Sequence, residues 1–195
     1  MKISRLALLA LALPMGLAAQ TPAGPPVNPI TTVFRNRITA LHRNLGMAFD
    51  SIPEAKFGYK PTPAQLTVGY IAQHLASDSY FFCGNFGAMK PSRPEKETTT
   101  PDSLKAAWPK ADLVAQLRAS FAFCDEALAQ VDDAKLADQL TMPGPNGTTR
   151  QATRAASVIG HAMDMADHYS QIANYMRLNN MIPPSALPRP RPAGT

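Results

Sequence analysis

Apolar residues recur at intervals of three and four along four stretches of the chain, and each stretch reads as an amphipathic helix. The first, "ITTVFRNRITALHRNLGMAFDSI", lines up Ile30, Val33, Phe34, Ile38, Leu41, Leu45 and Phe49. The second, "VGYIAQHLASDSYFFCGNF", follows Thr67, whose hydroxyl suits an N-cap, and carries Ile71, Leu75 and Phe82 on one side. The third, "KADLVAQLRASFAFCDEALAQV", has Leu113, Leu117, Phe121 and Leu128 as its stripe. The fourth spans residues 151–179, with Val158, Met165, Ile172 and Met176 among its apolar positions. No period-two segment competes with these four.

Helix breakers fill the intervals. Residues 51–63 read as a loop, "KPSRPEKETTT" as a mobile connection, and "TMPGPNGTTR" as a turn-rich link. Thr100 and Pro101 suit the start of a short helical turn near "DSLKAAW". The expected fold is all-α, a four-helix bundle with long inter-helix connections, one of which runs along the bundle.

The chain's beginning changes this picture. "MKISRLALLALALPMGLAAQ" has a basic start, an apolar run short for a membrane span, and small residues at its end, as a secretory signal peptide does. Residues 1–19 are therefore read as a signal peptide, 20–29 as a proline-rich tether, 30–184 as the bundle domain and 185–195 as a proline-rich tail. The mature protein is expected to be periplasmic or secreted, with no stable membrane span once the signal is cleaved. In an oxidising compartment Cys83 and Cys124 read as a structural disulfide, the alternative being two buried thiols. Losing Lys2 and Arg5 lowers the formal charge from +5 to +3, and no dense basic run remains. Nucleic-acid binding needs such a run to neutralise phosphates, so it is not expected.

Candidate chemistry sits in "HAMDMADHYSQIANYMRLNN". Helical spacing gathers His161, Asp164, His168, Gln171 and Tyr175 on one stripe and leaves Asp167 in water. Asp164 and His168, four apart, can point a carboxylate oxygen and an imidazole nitrogen at one divalent ion. His161 lies about two turns from His168, roughly 10 Å along the axis, and is treated as an alternative ligand or a neighbour. A third ligand must come from another helix. His74 is the candidate, because it interrupts the apolar side of the second helix. Isolated helix histidines are more commonly hydrogen-bonded core residues, so spacing alone carries little. His42, beside Arg43, reads as solvated.

Two segments carry a family resemblance. "PTPAQLTVGYIAQHLA" resembles the DinB-like, YfiT-related superfamily, in which a cap residue opens the second helix and a histidine seven residues on is a metal ligand; here that is His74. "DMADHYSQIANYMRLNNMIPP" resembles the end of the same fold, and puts His168 in the second-ligand position, with Tyr169, Gln171, Tyr175, Arg177, Pro183 and Pro184 around it. The usual pattern has a histidine four residues before His168, where this chain has Asp164. A His74, Asp164, His168 site would carry one negative charge and hold zinc, nickel, manganese or iron; the alternative is a branch that has lost its metal.

The resemblance implies a metal-dependent hydrolase or a thiol S-transferase; from their place beside the site, Tyr169 or His161 is expected to assist with protons. Three protein ligands would leave positions open for water or substrate. Export counts against thiol transfer, because the thiols concerned are cytoplasmic. Hydrolysis of a small molecule is the favoured expectation. A non-catalytic bundle holding a small ligand, or simply structural, is the competing class. The superfamily's historical link with DNA damage fits poorly with export. A homodimer is a further implication of the resemblance.

Overall fold

The computed structural model describes residues 27–188. The expected signal segment, most of the tether and the end of the tail lie outside that range. Four long helices make the body: α1 (Pro29–Ser51), α2 (Val68–Cys83), α5 (Lys110–Ala129) and α6 (Arg154–Leu178), with the short helices α3 (Glu95–Thr99) and α4 (Asp102–Lys105) between α2 and α5. Among the described residues no helix is long and apolar enough to cross a membrane.

Local chemistry sets the helix starts. The Thr67 hydroxyl accepts the amide of Tyr70 at 3.1 Å, and that of Thr153 accepts the amide of Ala156 at 3.2 Å. Pro94, Pro101 and Pro109 immediately precede α3, α4 and α5, with φ already near the helical value. The start of α1 is held from elsewhere. Asn28 makes no side-chain cap bond, and the Asp133 carboxylate instead accepts the amides of Ile30 and Thr31 at 3.0 and 2.8 Å. Asn28 answers by accepting the amide of Asp133 at 3.2 Å.

α2 packs on α5 and α6, and α1 on the same two helices, which closes a ring of four. The core has two layers. One joins the C-terminal half of α1 to the N-terminal halves of α2 and α5 and the C-terminal half of α6, through Leu45, Phe49, Ile71, Leu75, Leu113, Leu117, Met165 and Ile172. The other joins the opposite ends, through Ile38, Phe86, Leu128 and Val158. It also contains the Cys83–Cys124 disulfide, whose Cα atoms are 5.1 Å apart. Consequently α2 and α5 run parallel, and the connection across residues 84–109 must travel the length of the bundle, as expected. Gly69 allows α4 to lie against α2, since a Cβ there would meet the Ala106 carbonyl oxygen at 2.3 Å.

Three expectations are corrected. The turn-rich link folds into an antiparallel hairpin, β1 (Gln139–Pro143) with β2 (Thr149–Thr153), whose tip uses Gly147 at φ 75°. Only Met142 of its ten residues is buried, so there was almost no apolar alternation to read. The polar segment before α4 forms a helical turn and is tied down: Arg93 stacks over Tyr80 at 4.7 Å, and buried Lys105 donates to the Glu97 carbonyl. The fourth helix begins at Arg154, because residues up to Thr153 belong to the hairpin.

Candidate metal centre

α2 and α6 face one another where His74 meets Asp164 and His168. One ligand atom from each of the three lies within 4.8 Å of the others. His168 Nε2 is 3.5 Å from Asp164 Oδ1, and His74 Nε2 is 3.9 Å from the same oxygen. The imidazoles cross edge to face with centroids 4.8 Å apart. Donor atoms around one tetrahedral ion lie roughly 3.3–3.5 Å apart, given bonds of about 2.0–2.2 Å, so His168 and Asp164 are already at ligand spacing and His74 must draw in toward them.

Two features of the shell suit a cation. His168 Nδ1 lies 2.9 Å from the Gln171 amide oxygen; that oxygen can only accept, so Nδ1 carries the hydrogen and Nε2 presents its lone pair. The second oxygen of Asp164 is buried with no hydrogen-bond partner. Burial, reinforced by nearby Asp78, holds the Asp164 carboxyl above the ordinary range in spite of His168 and His74. Such a group is costly to ionise until a positive charge arrives. The residues present therefore fit a divalent ion. The side chains are 28 %, 20 % and 10 % exposed for His74, Asp164 and His168, so the centre is open on one side.

Asp78 is the residue that sequence reasoning missed. One turn beyond His74, its Oδ2 lies 3.5 Å from His74 Nε2. Burial raises its carboxyl too, against the pull of His74 and His168. The i,i+4 spacing from His74 was the available signal, the same spacing that singled out Asp164 and His168.

The two residues expected to assist with protons make other contacts. His161 is fully buried, with Nε2 3.1 Å from His42 Nε2 and its ring among Phe82 and Phe86. Burial first, and His42 second, push its pKa down to about 3, so it stays neutral at working pH and does not exchange protons with a substrate at the open centre. The Tyr169 hydroxyl accepts the amide of Ser185 at 2.8 Å and anchors the segment after α6. His42, read as solvated, is only 5 % exposed, because Asp125 and His161 satisfy both ring nitrogens. Tyr175 is buried and donates to the Leu66 carbonyl.

A cleft of about 530 Å³ opens beside Trp108 and Lys110, a second of about 400 Å³ beside Gln116 and a third of about 390 Å³ beside Arg118. None is lined by His74, Asp164 or His168.

Comparison with known proteins places the fold. The family model of the DinB superfamily matches residues 37–172. A DinB-like protein of Bacillus cereus ATCC 10987 superposes with a TM-score of 0.59 at 16% identity, covering 77% of this chain and 93% of that one. A conserved protein of Enterococcus faecalis gives 0.56 at 16%, covering 76% and 96%. A mycothiol-dependent maleylpyruvate isomerase gives 0.56 at 13%, covering 73% of this chain but only 60% of its own. At these identities the likeness shows the fold. No curated protein sequence matches.

Proposed function

The chain belongs to the DinB superfamily, and from that premise we propose that it holds one divalent cation between His74, Asp164 and His168 and hydrolyses a small molecule there. The observation that supports this reading is the convergence of three donor atoms from two helices, with His168 already presenting a lone pair.

A bound cation supplies Lewis acidity and positive charge at the open side. The two imidazoles hold it without adding charge. Asp164 adds one negative charge, which moderates that acidity relative to three histidines. Gln171 fixes the His168 ring, and Tyr70, stacked against His74 with centroids 6.3 Å apart, limits the swing of the other. Asp78, at the rim, accepts a proton released during turnover.

The mature chain acts after export, on the strength of residues 1–19. Thiol transfer ranks lower for that reason, although one structural neighbour is named as a mycothiol-dependent enzyme. A second reading, a metal-free or ligand-holding bundle without turnover, is favoured by the carboxylates of Asp164 and Asp78, which can pair with His168 and His74 without an ion.

Metal analysis of the purified chain, before and after incubation with zinc, nickel and manganese, tests the site. One equivalent of metal is expected, and it should be lost in His168→Ala. Hydrolysis of chromogenic esters, amides and lactones should follow the metal. Failure of wild type to retain any of the three ions would overturn the metal reading; retained metal with no turnover on the panel would favour the second reading.

A further inference from the structure

The other end of the bundle contains a second group of metal-ligand side chains, separate from the centre above. His42 on α1, Cys124 on α5 and His161 on α6 each place a ligand atom within 4.8 Å of the others, and all three are buried. Cys124 is bonded to Cys83, so its sulfur is not free to act as a thiolate ligand.

The histidine pair is incompletely satisfied. Asp125 Oδ1 lies 3.1 Å from His42 Nδ1, which fixes the hydrogen on that nitrogen and leaves Nε2 with a lone pair when the ring is neutral. Facing it at 3.1 Å is His161 Nε2, which must then carry the hydrogen between them. The remaining nitrogen of His161, Nδ1, is buried and has no partner. An orphaned acceptor on a fully buried ring is a net cost to the fold, so this pair is not accounted for by stability alone.

Its geometry is that of a ligand set. Two imidazole nitrogens on one tetrahedral ion lie about 3.3 Å apart, close to the observed separation. A carboxylate on the far nitrogen of a ligand histidine is the usual means of orienting it, and Asp125 is placed to do this. Phe121 stacks flat on His42 at 4.1 Å and restrains its ring. The missing element is a third donor, and the Cys124 sulfur is the one at hand.

We propose that opening the Cys83–Cys124 disulfide converts the His42–His161 pair into a three-ligand site, with Cys124 as thiolate, for zinc or a cation of similar softness. Thiolate and imidazole together select such ions over magnesium or calcium. A phosphine reductant, with one water, supplies the two electrons and two protons: the S–S bond breaks, each sulfur becomes a thiol, and the phosphine leaves as its oxide. Cys124 then releases its proton as the sulfur–metal bond forms and His161 moves its hydrogen from Nε2 to the unpartnered Nδ1, so that both Nε2 lone pairs face the ion, while Cys83, outside the ligand group, remains a thiol.

Cobalt(II) is the probe, since a thiolate ligand gives it a near-ultraviolet charge-transfer band that imidazole and carboxylate do not. The His168→Ala chain is used so that the other centre does not compete. Oxidised protein should show no such band. Reduced protein should bind one further cobalt per chain and show the band, which zinc should bleach. Cys83→Ser should show it without reductant. His42→Ala and Cys124→Ser should each abolish it while helical circular dichroism is retained. The proposal is overturned if the band is missing from both reduced protein and Cys83→Ser, if reduction unravels the helices, or if the band survives in His42→Ala. Because the band reports cysteine ligation only, its failure says nothing about His74, Asp164 and His168.

Discussion

Individual residues on α6 show how far spacing can be trusted. Asp164, His168 and Gln171 came together as their intervals require, and His74 joined them from α2. Gln171→Leu should weaken metal binding roughly 10–100-fold without loss of fold, since it removes only the partner that fixes the His168 ring; competition against a chelating dye measures this. His161 shares the stripe yet belongs to a different environment, because two turns along the helix carried it into the other core layer. Its depressed pKa has a consequence for stability. The unfolded chain takes up a proton near pH 6.5, whereas the folded ring resists protonation down to about 3. Its contribution is therefore fully present above pH 6.5 and is lost as the pH falls toward 3, at roughly 1.4 kcal/mol per pH unit. His161→Gln should flatten the decline in melting temperature between pH 6.5 and 4 measured by circular dichroism; an unchanged slope would assign the acid sensitivity elsewhere. His42 was misread because its partners, Asp125 and His161, lie 83 and 119 residues away.

Secondary elements were legible where an apolar stripe repeated over several turns. All four long helices and the Thr67 cap were in view for that reason. The hairpin was not: its strands are five residues each, mostly exposed, and its pairing is made by backbone groups that leave no pattern in side chains. α3 was hidden because its residues are polar and its order comes from tertiary partners such as Tyr80 and Lys105. The seating of α4 against α2 depends on a missing side chain. Gly69→Ala should cost about 1–3 kcal/mol in urea unfolding, because the added methyl meets a backbone carbonyl that cannot swing aside. Free space for a methyl would show as no change in the midpoint.

Across the whole molecule, two parallel helices joined by a long connection leave a large loop to be constrained, and the disulfide closes it over 41 residues. Reduction should lower stability by about 4 kcal/mol if the effect is mainly entropic. A domain of this size commonly has about 5–15 kcal/mol in hand, so the reduced chain should remain folded. Denaturant titration with and without reductant checks both statements. The clasp between Asp133 and the beginning of α1 bears on timing rather than strength. Because the amides of Ile30 and Thr31 are held by a carboxylate 103 and 102 residues onward, the first turn of the earliest helix waits for a segment that leaves the ribosome much later. In pulse-labelled hydrogen exchange during refolding, those two amides should become protected together with the chain beyond α5, so that one early helix serves as a clock for the closing of the ring.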